Sequence, residues 1–345
     1  MINLKPTPNN PIDATHLQRL RHAARSGPVL ILTHDTPDPD ALASGKALSV
    51  LLETAWKIPC ALRYTGVVAR AENRAMLEKL TPEWRPIEEL NNIEGFSALA
   101  LVDTQPGAGN NALPGPIDPH IVIDHHLPIQ PATQRAQYVD VRPDAGATVS
   151  LVYQYLEFAG ITPEATLATA MFYGLQTDTR GLAISASPID EVVYVNLLTL
   201  IDRQKLIEVE LAGLSRDYFR AFQLGLQAAQ VYQHSIFSFL GITSQPDLPA
   251  EMADLLIRLE SIHAALCVGL HRNILQLSLR TDPQAGDAGR LLQQIVVGIG
   301  KAGGHGMVAG GQVPLLGRKP DELVHHLQQR FLDIMQDKGP GQSLV

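Results

Sequence analysis

A chain of 345 residues that is 45% hydrophobic and 18% charged has room for two packed domains and a normal globular balance. Its net charge of −8 argues against a long electrostatic footprint on duplex nucleic acid. No apolar run reaches membrane-span length, and the two cysteines, Cys60 and Cys267, sit in apolar surroundings that suit neither a disulfide framework nor a cysteine metal site.

Residues 12–26 read as an amphipathic helix, after a start with neither the basic nor the apolar segment of a signal peptide, so the expected location is cytoplasmic. The run Val29, Leu30, Ile31, Leu32 reads as a buried strand that breaks at Thr33-His34. Pro37 and Pro39 deny helix to the acidic turn that follows, and a helix starts near Asp40, with small residues Ala41, Ala43, Ser44, Gly45 and Ala47 for close packing on a sheet. A strand is expected at 60–64, a helix at 72–80, a buried strand at 98–102 ending in Asp103, a Gly/Pro/Asn loop at 105–119, and a strand at 121–123 ending in Asp124-His125-His126. Helices follow at 147–158 and from Pro163 to Arg180. Strands alternating with helices, with polar residues recurring at strand ends, indicate an α/β fold with a mostly parallel sheet.

From 188 to 232 the pattern is helical almost throughout and reads as a connector. Beyond it the character changes: a strand at 236–240, a helix at 249–259, strands at 264–270 and 274–279 joined as a hairpin, and a helix at 288–297. A Gly-rich run at 303–311 then precedes a short strand, followed by a final helix at 320–337 and a frayed tail at 339–345. The expected division is 1–187, a metal-binding domain; 188–232, the connector; and 233–345, a smaller mixed-sheet α/β domain that holds substrate. Residues 231–345 carry nine Lys/Arg against ten Asp/Glu, while residues 1–230 carry 18 against 25, so the acidic excess lies with the candidate metal residues.

The polar groups at element ends are His34, Asp38, Asp40, Asp103, Asp124, His125, His126 and Asp178. Clustered carboxylates repel one another unless some are protonated or a cation sits among them. With no cysteine present, the set suits Mn²⁺ or Mg²⁺ better than structural zinc, and its size exceeds what a single ion uses. Two ions sharing one carboxylate would account for the count, as in hydrolytic two-metal sites. Each group also has a plainer reading: a capped helix start at 34–40, a turn residue at Asp103, loop histidines at 125–126, a helix cap at Asp178, a tight turn at 303–311, a salt-bridge partner at Arg280. His325-His326 lies on an amphipathic terminal helix and is not read as a ligand pair.

HDTPDPD at 34–40, VD at 102–103, DHH at 124–126 and TD at 177–178 are similar, in order and context, to the four motifs of DHH phosphoesterases. SLR at 278–280 and GGHGMVAGG at 303–311 resemble the DHH-associated C-terminal domain, so the likeness covers nearly the whole chain. Within that family it resembles stand-alone nanoRNases, exonucleases of very short RNA that also act on 3′-phosphoadenosine 5′-phosphate (pAp). The resemblance implies an active site in a cleft between the two domains. It assigns His34 and Asp38 to one metal, Asp40, His125 and Asp178 to a second, and Asp103 to both. Asp124 would orient an imidazole, and His126 would sit beside the scissile phosphate. Arg280, Gly303, Gly304, His305 and Gly306 would hold substrate. Arg180 stands where many relatives have Gly.

The implied activity is manganese-dependent (or magnesium-dependent) hydrolysis of very short oligonucleotides or pAp, without long nucleic acid or membrane partners, and with a homodimer left open. Rival readings are a cyclic- or linear-dinucleotide phosphodiesterase, a polyphosphate or pyrophosphate hydrolase, and a nucleotide sensor on an inactive scaffold.

Overall fold

The computed structural model describes residues 12–89, 93–113, 117–337 and 339–345, and the chain divides into two compact units, Met1–Ala212 and Gly213–Val345. The first unit runs α1 (Ala14–Ala24), β1 (Val29–Leu32), α2 (Pro39–Trp56), β2 (Cys60–Tyr64), α3 (Ala71–Lys79), β3 (Arg85–Pro86), β4 (Ala98–Val102), β5 (Ile121–Asp124) and β6 (Tyr138–Val141). Helices α4 (Thr148–Phe158), α5 (Ala165–Thr179), α6 (Pro188–Leu198) and α7 (Arg203–Glu210) follow.

The six strands form one sheet in the order β3-β2-β1-β4-β5-β6, every neighbouring pair parallel. The chain direction of travel across the sheet reverses between β1 and β4, and open α/β sheets bind their ligands just outside the strand ends at such a reversal. Every residue of β1 and β4 is buried, as continuous apolar strands in the middle of a parallel sheet require. Alternate side chains serve two cores. Val29, Ile31, Ala98, Ala100, Val102, Ile121 and Ile123 join the large core with α2, α4 and α5. Leu30, Leu32, Leu99, Leu101 and Val122 form a smaller cluster on the other face, closed by Ile87, Ile93, Phe96, Leu113, Ile117 and Val141.

The small residues of α2 work partly as expected. A Cβ on Gly45 would lie 2.5 Å from the Trp84 ring and 3.4 Å from Ile31 of β1, and the Trp84 indole N–H donates to Leu42 O at 3.0 Å. Strands β3 and β6 were not legible beforehand; both are short edge strands holding Pro86 and Asp140, residue types depleted in strands.

The second unit comprises α8 (Arg216–Ala228), β7 (Gln230–Val231), β8 (Ser235–Ile242), α9 (Leu248–Leu256), β9 (Ala264–His271), β10 (Ile274–Thr281), α10 (Ala288–Val296), β11 (Lys301–His305), β12 (Val308–Pro314), α11 (Pro320–Met335) and β13 (Gln342–Ser343). Its seven strands lie in the order β11-β12-β10-β9-β8-β7-β13, antiparallel except for β8 with β9, so the sheet is mixed. The helical stretch 188–232 is shared out. Ile189, Val193 and Leu197 of α6 and Val209 of α7 join the first unit's core, whereas Ala221 of α8 packs with Leu240, Met252 and Ala265 in the second.

Two expectations change. The tail is not frayed: Gln342 and Ser343 pair with Val231 and Gln230, and Leu344 N–H donates to Ala229 O. The Gly-rich run does not precede a strand but is itself a hairpin, with Gly303 opposite Gly310 and His305 opposite Val308. Glycine is depleted in strands for lack of a side chain to pack. Here the bare backbone is what α10 needs, because a Cβ on Gly289 would already lie 2.1 Å from Gly304 O. Among the described residues no helix is long and apolar enough to cross a membrane.

Candidate metal centre

Just past the carboxyl end of β1, His34 turns its Nδ1 to Asp35 O at 3.0 Å, which leaves Nε2 facing Asp103 Oδ2 at 3.4 Å and Asp38 Oδ2 at 3.7 Å. Asp38 is the N-cap of α2, its Oδ1 accepting from Ala41 N–H at 3.0 Å. Two residues on, Asp40 is fully buried and caps a different helix: it accepts the Thr148 and Val149 N–H groups of α4 at 2.7 and 2.8 Å, and Ser44 Oγ–H at 3.0 Å. Helix α4 has no side-chain cap of its own. Asp40 thus satisfies orphan helix donors in trans while lying in the centre.

Asp103 follows β4 with φ 62, a left-handed backbone that Asp tolerates better than most residues. Its Oδ1 accepts from Thr148 Oγ–H at 2.7 Å. At the end of β5, His125 directs Nδ1 at Ala145 O, 3.1 Å away. Its Nε2 lies 3.6 Å from Asp103 Oδ1, 3.6 Å from Asp178 Oδ2 and 4.0 Å from Asp40 Oδ2. Asp178 arrives on the last turn of α5, held close to α2 by Gly174, where a Cβ would stand 3.0 Å from both Pro39 O and Asp40 Cα. Helix α5 then ends on Arg180 at φ 47, a left-handed C-cap that favours glycine.

Among the described residues three groups of ligand-capable atoms result: His34, Asp38 and Asp103; Asp40, His125 and Asp178; and Asp103, His125 and His126. Asp103 joins two of them. Asp103 Oδ2 and His125 Nε2 are buried yet have no hydrogen-bond partner. A lone pair on each, aimed at facing donors of the same kind, is the arrangement a cation satisfies and a hydrogen-bonded core avoids. The oxygen- and nitrogen-only donor set fits a divalent cation such as Mn²⁺ or Mg²⁺.

The electrostatics agree. Burial, then the charges of Asp103 and Asp38, push Asp40 well above the usual carboxylate range. Burial, then Asp38, Asp40 and Asp103, do the same to Asp178. Burial would also raise Asp103, but His126, His34 and His125 hold it low. Against burial, the Asp103 and Asp38 carboxylates that face its Nε2 hold His34 well above the ordinary histidine value. For Asp40 and Asp178 the sign is clear: the folded, metal-free protein binds protons there more tightly than the unfolded chain, so their contribution to stability is lost as pH rises through the raised values. A cation must displace those protons. The gain in Tm from Mn²⁺ over chelator should therefore be larger at about pH 8 than at about pH 6. Equal gains at both would mean that these two carboxylates are not ligands.

His126 stands apart. Its side chain is 36% exposed against 13% for His125, and Asp124 Oδ1 meets its Nδ1 at 2.8 Å. Against burial, Asp103 and Asp124 raise it to about 9. The imidazole that Asp124 orients is therefore His126. Two contributors escaped the sequence reading. Gln105 donates to Asp124 Oδ2 at 2.6 Å and to His126 O at 2.9 Å, and accepts from Gln130 N–H at 2.7 Å. Thr148 ties Asp103 to α4. Neither carries a charge, and Thr148 is 45 residues from Asp103; only Gln105's place two residues after Asp103 was a signal.

The residues expected to hold substrate lie in the second unit. Arg280 is 6% exposed; its Nε donates to Asp254 Oδ1 at 2.5 Å and its Nη1 to Ser278 Oγ at 2.7 Å and Leu279 O at 3.2 Å. Gly303 and Gly304 are in β11. Gly306 donates its N–H to Asp287 Oδ2 at 2.9 Å and gives its carbonyl to Ala288 N–H, so its amide is engaged within the unit. The His305 side chain lies outside the described residues.

A buried Asp/His constellation at the carboxyl edge of a parallel sheet defines a metal-centre class of α/β domain. Residues 28–175 match the model of the DHH family, N-terminal domain. The chain is 31% identical over 293 residues to an uncharacterised protein of Methanocaldococcus jannaschii, covering 84% of this chain and 59% of that protein, so it spans less than two thirds of that relative's length. It is 25% identical over 255 residues to a probable manganese-dependent inorganic pyrophosphatase of Streptococcus pyogenes, covering 69% of this chain and 76% of that one. It is 27% identical over 236 residues to a bifunctional oligoribonuclease and PAP phosphatase of Thermus thermophilus, covering 66% and 65% respectively.

Proposed function

We propose that this protein is a metal-dependent hydrolase that cleaves phosphate esters of very short oligonucleotides or of pAp. The observation that carries the reading is Asp103, a buried carboxylate common to two ligand groups, with Oδ2 unpartnered. His34 and Asp38 would hold one divalent cation and Asp40, His125 and Asp178 another, Asp103 serving both; manganese is the first choice and magnesium the second. Bound cations would supply Lewis-acid polarisation of a phosphoryl oxygen and activation of a water.

The chain's own residues do the rest. Asp124 fixes the His126 ring through Nδ1, which leaves Nε2 to donate toward phosphate oxygens on which charge builds. Gln105 braces Asp124 from behind. Thr148 and the N-terminus of α4 hold Asp103 and Asp40 in place, so the carboxylates need not reorganise during turnover.

The short-substrate preference is supported by the likeness to the oligoribonuclease and PAP phosphatase, and by composition: aromatics are 5% of the chain, and residues 231–345 are nearly neutral. Stacking along a single strand is worth about 1–3 kcal/mol per base and needs exposed aromatic faces. Each added nucleotide would bring a phosphate with little to hold it. A second reading, hydrolysis of inorganic pyrophosphate, is favoured by the pyrophosphatase relative.

One assay separates them. With Mn²⁺ present, kcat/KM is measured on pyrophosphate, pAp, a dinucleotide, a pentamer and a 20-mer, with a chelator control. The expected result is highest turnover on pAp or the dinucleotide, a steep fall beyond about five nucleotides and a shallow salt dependence. Preference for pyrophosphate would select the second reading, and rates rising with length would mean a long-strand exonuclease.

A further inference from the structure

His125 is tied to a carboxylate it does not touch. Its Nδ1 faces the carbonyl of Ala145 at 3.1 Å. The N–H of the next residue, Gly146, belongs to the same peptide unit and donates to Asp190 Oδ2 at 2.7 Å. A carbonyl can only accept, so Nδ1 carries a proton and Nε2 is the nitrogen left to serve as a ligand. That Nε2 is the buried, unpartnered atom facing Asp103 and Asp178.

Asp190 is wholly buried, in the first turn of α6. Its Oδ2 also accepts from Ser187 N–H and Oγ–H at 2.7 and 2.6 Å, while Oδ1 has no partner. No cationic side chain of the described residues forms an ion pair with it. The carboxylate's field thus falls on the Ala145–Gly146 peptide. The contact depends on glycine: a Cβ on Gly146 would lie 2.8 Å from Ser185 O and 2.9 Å from Asp190 Oδ2.

We infer that Asp190 is a positioning residue for His125, acting through one peptide unit to hold the ring in its Nδ1–H tautomer and to strengthen Nε2 as a cation ligand. Metal-bound histidines commonly donate their second N–H to a carboxylate or a carbonyl, which raises ligand basicity. Here the two are in series: negative charge at the N–H end of a peptide increases the accepting power of its C=O end, as in any polarised hydrogen-bond chain. The inference rests on the metal-centre reading above. A plainer role for Asp190, capping α6, involves the same oxygen and must be separated from it.

Asp190→Asn keeps the shape and removes the charge. Ser187→Ala removes a bond to the same Oδ2 but leaves both the charge and the Gly146 contact. Mn²⁺ affinity is measured by calorimetry alongside Tm for each, with the whole chain. The expected result is that Asp190→Asn weakens Mn²⁺ binding by about threefold to tenfold, below the tenfold to hundredfold typical of a direct partner. Ser187→Ala should lower Tm and leave Mn²⁺ affinity unchanged. Equal affinity for Asp190→Asn and the unsubstituted protein, or a matching loss in Ser187→Ala, would reduce Asp190 to a cap. A protein that binds no Mn²⁺ at all would instead remove the metal centre itself. Imidazole ¹⁵N shifts of the unsubstituted, metal-free protein give a check that needs no variant. The Nδ1–H tautomer at His125 is expected, and the Nε2–H tautomer would overturn the relay.

Discussion

Asp103→Asn is expected to abolish hydrolysis, lowering kcat/KM by at least about a thousandfold, the upper end of what loss of one preorganised electrostatic contact costs. Asparagine is the informative substitution. It tolerates the left-handed backbone at φ 62 and can still accept from Thr148 Oγ–H, so the fold should persist. What it removes is the one charge that faces His34, His125 and His126 together. Mn²⁺ binding should weaken at both proposed positions, because Asp103 groups with His34 and Asp38 and its Oδ1 lies 3.6 Å from Nε2 of His125, which groups with Asp40 and Asp178. Full turnover by this variant, or loss of a single bound ion with activity intact, would end the shared-carboxylate scheme.

Arg280→Ala is expected to act first on stability, costing about 1.5–3 kcal/mol, the range for hydrogen bonds to charged groups. Its guanidinium is engaged with Asp254, Ser278 and Leu279 O. The Asp254 side chain is 35% exposed and can be rehydrated when its partner goes, which keeps the cost below that of breaking a fully buried pair. The first unit's metal content should be unchanged. Thermal unfolding and kcat/KM on one set of samples distinguish this role from the one the family resemblance implies. An unaltered Tm with a raised KM would make Arg280 a phosphate-binding fork, whereas a lowered Tm with KM near normal would make it an internal strut.

Much of the first unit was legible because its signals are local and apolar. β1 and β4 are short all-apolar runs, and a central parallel strand buried on both faces admits nothing else. The acidic residues stood out where those runs stop, and a parallel sheet gathers its strand ends on one edge, so strand-end motifs up to about 90 residues apart converge. Failures came where backbone rather than side chain set the outcome. Gly303 and Gly304 read as part of a Gly-rich run ahead of a strand, yet they lie in an edge strand themselves, against α10. The chain end read as frayed by position, yet it pairs with β7.

By itself the sequence determined the α/β class, the order of the apolar strands, and which imidazoles and carboxylates stand at their ends, because pattern and spacing depend only on near neighbours. Only the tertiary structure decided what each polar group faces. That Asp40 caps α4, that Arg280 pairs with Asp254, and that Asp190 reaches His125 through Gly146 are contacts between segments distant in the chain or routed through backbone. Propensity and periodicity carry no information about such contacts. They exist because a buried donor or acceptor must find a partner wherever the packing brings one.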